Sequence, residues 1–241
     1  MADRTCKKMI KQEIIENNIR VISFDAPKGN MLGVDDIKEL SDIISKEKND
    51  IQIKGIIITG LNRSFCVGLK ALEMSNPDFL FLFETFDRLL LNLFSLSKPL
   101  IIAATGHSIG GGLLIQLCAD YSVMSDNPKI KIGLSELALN TTLDALMLNI
   151  LEYSIGNSRC IQQLVYLAQY IPPTQALQSN LCDELVEEAK VFPTALAKMM
   201  KLIAYDENSF VSIKQNLRKD TIEQMRSNLN KKCYAVYNGI S

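Results

Sequence analysis

The sequence predicts an α/β fold, and three observations predict it. Segments of strand character alternate with segments of helical spacing, the pattern of crossover connections between strands of one sheet. The strand segments are continuous apolar runs, such as "IKGIIITG" and "KPLIIAATG", which imply burial on both faces. After about Cys182 the texture changes, and "FPTALAKMMKLIAYDENSFVSIKQNLRKDTIEQMRSNLN" reads as helices only.

Taken in order, "VISFDAP" (21–27) is a strand stopped by a proline, and "VDDIKELSDIISKE" follows with apolar residues at helical spacing. "IKGIIITG" is a buried strand ending at Gly60, and "LNRSFCVGL" is the loop after it. Pro77 at a first turn opens a long apolar helix from about Asp78 to Phe94. "KPLIIAATG" is a second buried strand. The turn "HSIGGGLL" and its helix follow, and "YSVMS" is a third strand. No Gly/Ser linker, low-complexity tract or solenoid-length repeat interrupts the chain. Its 241 residues, 47% hydrophobic, suit one sizeable domain or one domain with an appended subdomain.

The bulk numbers also exclude. A net charge of −1 supplies no basic field for nucleic acid or an anionic membrane, so neither is expected as a partner. No apolar run reaches membrane-spanning length, and "MADRTCKKMIKQEIIE" is too charged for a secretory signal. Six cysteines, Cys6, Cys66, Cys118, Cys160, Cys182 and Cys233, are scattered without a C-x-x-C pair. They read as reduced, mostly core-filling thiols of a cytoplasmic protein. His107 is the only histidine. A His-rich metal site is therefore excluded, and carboxylates are the expected carriers of any acid–base chemistry.

Both central strands end in the same way, "IIITG" leading to "SFCVGLK" and "IIAATG" to "HSIGGGL". Ligands of α/β proteins gather where strands end and helices begin, and helix N-termini expose unpaired N–H groups there. Two such ends side by side would aim two N–H donors at one developing oxyanion. A tight turn with close helix packing is the plain structural reading of Gly110–Gly112. A dinucleotide or phosphate loop is not supported, because there is no G-x-G-x-x-G and no Walker lysine.

"SFCVGLKALEM" and "KPLIIAATGHSIGGGLLIQLCADYSVMSDNPKIKIGLSE" resemble the two signature segments of the crotonase, or enoyl-CoA hydratase/isomerase, superfamily. "GNMLGVDDIKEL" and "PPTQALQSNLCDELVEE" resemble weaker segments of the same family, and the C-terminal helices resemble its trimerisation region. The resemblance implies a crotonase-like spiral of ββα units over residues 1–190 with the acyl-CoA site, and a helical oligomerisation region over 191–241. A homotrimer or homohexamer is expected from it. It implies an oxyanion hole made by the backbone N–H groups of Leu69 and Gly111. It also implies substrate contacts at Phe65, Val67, Gly68, His107, Gly110 and Leu114. The ligand would be an acyl-CoA or acyl-carrier-protein thioester. No metal or redox cofactor is implied, since CoA or phosphopantetheine arrives with the substrate.

Within the family the carboxylates decide the reaction. Hydratases place a glutamate two residues after the G-G-G turn, and here that place is Leu114, which cannot activate water. The second glutamate of the hydratases follows a K-x-G-L-P-E pattern, matched here by "KIGLSE" with Glu136. Leucine at the first place and glutamate at the second is the arrangement of Δ3,Δ2-enoyl-CoA isomerases. Glu136 would then shuttle one proton. Asp144 stands where other members carry a second carboxylate, and it also reads as an N-cap of "ALMLNILEYS". The family's "G-x-x-P-G-x-G-G" stretch is replaced by "LALNTTLDALML". Lys70 stands where an acidic residue is usual, and it meets either solvent or a CoA phosphate. The Phe residues of "FLFLFETFDRLLLNLF" read as core, or as one wall of an acyl pocket. The alternatives to isomerisation are a hydratase, a carrier-protein-linked decarboxylase, and a catalytically silent acyl-CoA-binding or scaffold homologue.

Overall fold

In a computed structural model, residues 9–71 and 76–230 are described. The chain runs β1 (Ile10–Ile15), β2 (Ile19–Phe24), α1 (Val34–Asn49), β3 (Gly55–Gly60), β4 (Ser64–Cys66), α2 (Asn76–Phe94), β5 (Leu100–Ala104), β6 (His107–Ile109), α3 (Gly111–Leu117), β7 (Tyr121–Ser125) and β8 (Ile132–Gly133). It continues through α4 (Ala145–Ile155), α5 (Ser158–Leu167), α6 (Pro173–Gln178), β9 (Glu184–Val186), α7 (Val191–Ile203) and α8 (Glu207–Asn230). Residues 72–74 of the first signature, Cys6 and Cys233 lie outside the described residues.

Two sheets share the strands. One is six-stranded in the order β1-β2-β3-β5-β7-β9, and the other is three-stranded in the order β4-β6-β8. Only the β1–β2 pairing is antiparallel. The chain therefore repeats one step three times: a strand in the large sheet, a strand in the small sheet, then a helix (β3-β4-α2, β5-β6-α3, β7-β8-α4). This is the ββα spiral that the resemblance implied.

The unbroken apolar runs are explained by burial on both faces. Alternate residues of each central strand enter different cores. Ile56, Ile58, Leu100 and Ile102 face the main core with α1 and α2, whereas Ile57, Ile101, Ala103 and Val123 face Val191, Ala195 and Met199 of α7. The four strands expected from the sequence are present as β2, β3, β5 and β7, and the long helix begins at Asn76 rather than about Asp78.

Two expectations are corrected, and one strand was not anticipated. The segments after the two central strands are not wholly loops, because "SFC" and "HSI" are strands of the small sheet. Three residues are too few to carry a period. The region after Cys182 is not only helical: β9 extends the large sheet by pairing with β7. The N-terminal segment contains β1, joined to β2 by a turn in which Asn17 and Asn18 adopt left-handed conformations. Cys66, Cys118 and Cys182 are buried free thiols, as expected of core-filling cysteines, and Cys160 is half-buried. Burial pushes the first three up to about 12. Among the described residues no helix is long and apolar enough to cross a membrane.

One buried polar residue ties the first turn of the spiral. Asn30 is wholly buried. Its Oδ1 accepts from the Ala26 N–H at 2.7 Å, and its Nδ2 donates to the carbonyls of Leu61 at 2.9 Å and Ser64 at 2.8 Å. It thereby fastens the loop before α1 to the corner between β3 and β4. Asn30→Ala strands these groups in the interior, and a loss of about 1–3 kcal/mol is expected. Denaturant unfolding should show a lower midpoint at unchanged slope.

Candidate active site

The first loop is set by a short parallel contact. The Leu32 N–H donates to the Gly68 carbonyl at 2.9 Å, and the Lys70 N–H donates to the Leu32 carbonyl at 2.9 Å. Because Gly68 and Lys70 supply the ladder toward Leu32, the N–H of Leu69 between them points away from it. The second donor is dictated by helix geometry. Gly111 is the first residue of α3, so its N–H has no intrahelical acceptor.

The glycine turn brings the two segments together. A side-chain carbon placed on Gly68 would stand 3.5 Å from the Gly111 nitrogen and 3.3 Å from the Ile109 carbonyl oxygen. Gly110 has φ +54°, a conformation that side chains rarely adopt, and its N–H is held by the Gly133 carbonyl at 2.9 Å. At Gly112 a side-chain carbon would fall 2.1 Å from the Cys66 carbonyl oxygen, so only glycine lets α3 rest on β4. The tight-packing reading of the three glycines holds, and all three are buried. Gly111 faces Phe86 and Leu69, whose side chains would lie 3.0 and 3.2 Å from a carbon placed on it.

Glu136 meets this turn directly. Its Oε1 lies 3.1 Å from the position of a side-chain carbon on Gly110. Its Oε2 is buried and has no hydrogen-bond partner among the described residues. Burial raises its pKa above the usual glutamate value, and the amides of Glu136 and Ser135 pull it partly back. One oxygen of this carboxylate is thus desolvated and free of a hydrogen-bond partner among the described residues, the environment in which shifted acid–base groups are found.

The replacement for the glycine-rich stretch holds Glu136 by its backbone. Residues Leu137–Leu139 form a 3-10 turn and Asn140 is left-handed. The chain folds back so that the N–H groups of Leu139 (3.1 Å) and Thr141 (2.9 Å) donate to the Glu136 carbonyl. Asparagine does here what glycine does in the expected pattern. The pair "NT" at 140–141 is the sequence signal, and it is weak.

The remaining expected residues separate. Leu114 is buried in α3, with its N–H on the Gly110 carbonyl at 3.1 Å. Val67 is half-buried against Gly29, whose carbonyl accepts its N–H at 2.9 Å. The Phe65 ring is wholly buried and packs on Phe24 with centroids 5.8 Å apart, so it belongs to the core. His107 is in strand β6 rather than a loop. Its Nδ1 accepts the Lys131 N–H at 2.9 Å, which leaves the proton of the neutral ring on Nε2. Burial and the Lys131 charge lower its pKa. Asp144 is the N-cap of α4, and its Oδ1 accepts the Met147 N–H at 2.9 Å. Burial raises its pKa, opposed by the Met147 and Leu146 amides. Lys70 pairs with Asp36 at 2.9 Å, a third outcome beside solvent and phosphate.

A cavity of about 980 Å³ lies at the other end of α3 against Leu117, Ser154 and Arg218. It touches neither the glycine turn nor Glu136.

Comparison with known proteins places the chain among relatives of this fold. The family model for enoyl-CoA hydratase/isomerase matches residues 14–237. Mouse mitochondrial enoyl-CoA delta isomerase 1 is 31% identical over 211 residues, 86% of this chain and 73% of that protein. A short-chain-enoyl-CoA hydratase of Clostridium acetobutylicum is 28% identical over 208 residues, 83% and 76% of the two chains. The crystal structure of the human mitochondrial delta3-delta2-enoyl-CoA isomerase superposes with a TM-score of 0.84 at 26% identity, covering 92% of this chain and 91% of that one.

The raised pKa of Glu136 has a consequence for stability. A group with a folded-state pKa above its unfolded value favours folding when protonated, and that contribution is lost as pH rises through the folded value. At pH 7 the ionised carboxylate therefore opposes folding. Glu136→Gln should raise the thermal midpoint by about 2–4 °C at pH 7, if the relief is near 1 kcal/mol. Below the ordinary glutamate value the gain should vanish, and melting curves at both pH values check this.

Proposed function

The chain belongs to the enoyl-CoA hydratase/isomerase family, and from that premise we propose that it moves the double bond of a 3-enoyl-CoA to the 2-position by a one-glutamate proton shift. The observation that carries this reading is the buried, unpartnered Oε2 of Glu136 beside the glycine turn, with the aliphatic Leu114 where water activation would need a second carboxylate.

The thioester oxygen accepts from the N–H groups of Leu69 and Gly111, each contributing about 3 kcal/mol as charge develops on it. Glu136 takes a proton from C2, and the C–H electron pair enters the conjugated dienolate. The protonated Glu136 then returns the proton at C4, so the double bond is left between C2 and C3. Its raised pKa suits both halves of this exchange, because the neutral acid must persist long enough to donate. The mechanism requires no metal or redox cofactor, and the thiol carrier, CoA or phosphopantetheine, belongs to the substrate. Asp144 has a structural task as a cap, and one carboxylate suffices for the shift. The Nδ1 bond of His107 favours a structural role for it as well.

A homotrimer or homohexamer is the assembly we favour. Exposed apolar residues on the C-terminal region, Tyr205, Ile213 and Leu217, support a contact surface within 191–241. Buried free thiols support a reducing compartment, the cytoplasm in this reading. Hydration is the second reading, favoured by the likeness to a short-chain-enoyl-CoA hydratase. Sedimentation should give a species larger than the monomer at micromolar concentration.

Ultraviolet assay of 3-enoyl-CoA should show the conjugated 2-enoyl thioester appearing, with the rate rising through an apparent pKa above the ordinary glutamate value. Glu136→Gln should lower the turnover about 10²–10⁴-fold. Asp144→Asn retains a capping acceptor and should leave turnover within several-fold. A loss as deep as that of Glu136→Gln would make Asp144 a second proton carrier. Consumption of 2-enoyl-CoA by water addition would establish the hydratase, and silence toward both would point to a binder or another thioester reaction.

A further inference from the structure

The helix that presents the Gly111 N–H is only seven residues long, about 10 Å. Its N-terminal end is seated against β4 through Gly112. Its C-terminal end is gripped by side chains from elsewhere in the chain. The Ser154 hydroxyl of α4 donates to the Leu117 carbonyl at 2.9 Å. Arg218 of α8 donates through Nη1 to the Cys118 carbonyl at 2.9 Å and through Nη2 to the Ala119 carbonyl at 2.8 Å. The same guanidinium donates to the Phe94 carbonyl at the end of α2 (2.9 Å) and pairs with Asp120 at 3.0 Å. The guanidinium thus makes three hydrogen bonds to main-chain carbonyls and one ion pair. Its plane lies over the Phe94 ring, 4.4 Å from the centroid, and Arg218 is 4% exposed.

Asp120 completes the clamp. Its Oδ2 receives Lys214 of α8 at 2.7 Å and the Leu100 N–H at 2.8 Å. The loop after α3 is thus tied both to α8 and to the start of β5, the strand that leads to the glycine turn. Two buried cations at the C-terminal end of a short helix also match the negative end of its dipole. A surface ion pair would do none of this; a desolvated fork on three consecutive residues sets position.

We propose that Arg218 and Ser154 are positioning residues for the oxyanion hole, holding the C-terminal end of α3 so that its first amide, Gly111, meets the thioester oxygen. Docking of α8 and assembly of the hole are then one event. A misplacement on the order of 1 Å can cost about 100-fold in rate. A helix of two turns transmits a shift at one end to the other. This inference rests on the acyl thioester reading of the site.

The test separates position from stability. The probe is 2,4-hexadienoyl-CoA, whose absorbance moves to longer wavelength when its carbonyl is polarised by the two amides. Arg218→Lys keeps the charge and loses the fork; it should lower kcat on 3-enoyl-CoA about 10–100-fold, with KM within about threefold and a smaller red shift of the bound probe. Ser154→Ala should lower kcat about 3–10-fold, and Ser154→Thr, which restores the hydroxyl, should recover it. If Arg218→Lys does not fold, the Ser154 pair decides alone. Folded variants that bind the probe with the wild-type red shift and wild-type kcat overturn the proposal. So does a kcat loss fully accounted for by the unfolded fraction. Absence of both red shift and turnover in the wild type would instead overturn the reading of the site, and the proposal with it.

Discussion

The fold depends on one contact between bare backbones. The N-terminal turn of α3 lies so close to the end of β4 that a single added carbon at Gly112 would collide with the Cys66 carbonyl. Nothing but glycine permits it, and everything around the site follows from it. The loop at Gly68 and the turn at Gly110 become neighbours, which brings Leu69 close to Gly111. In the proposed mechanism such backbone groups make a stiffer oxyanion site than side chains would, because no rotamer has to be frozen when charge develops. Each turn of the spiral contributes one piece: β3-β4 brings Leu69, β5-β6 brings Gly111, and β7-β8 leads to Glu136.

The carboxylate is placed at an energetic cost that the surrounding backbone offsets. Burial opposes ionisation of Glu136, and its Oε2 has no partner among the described residues. Such a group is tolerated where the main chain is well satisfied. Here the Glu136 carbonyl takes N–H bonds from the turn over 137–141, and Gly110 and Gly133 are bonded to each other. A hydrated site would relax this arrangement, and the apolar Leu114 on the adjacent helix turn discourages it. The same logic separates Asp144 from Glu136: both are raised by burial, but one is engaged as a helix cap and the other points its oxygen at the glycine turn.

The C-terminal third of the chain is not an appendage in energetic terms. α7 covers the second face of the large sheet, and α8 inserts Lys214 and Arg218 into the interior at the ends of α2 and α3. Buried charges of this kind stabilise little against an apolar replacement, yet are costly to break singly. Their value here lies in geometry, because they fasten carbonyls that no backbone N–H could reach.

The residues alone were sufficient for the α/β class, the three central strands, the long second helix, the cap at Asp144 and the close packing of Gly110–Gly112. Each of these rests on a local rule: period, punctuation, capping or the bare backbone of glycine. Motif likeness added the spiral, the pairing of Leu69 with Gly111 and the weight on Glu136. The small sheet and β9 were not legible, since strands of two or three residues have no period of their own and exist only because neighbours complete their ladders. Asn30 as a fastener, His107 as an acceptor for the Lys131 amide, the Lys70–Asp36 pair and the Arg218 clamp were equally hidden. Apart from Ala26, four residues before Asn30, their partners lie 24 to 124 residues away in the chain, and a sequence states which groups can bond but not which of them folding brings within 3 Å.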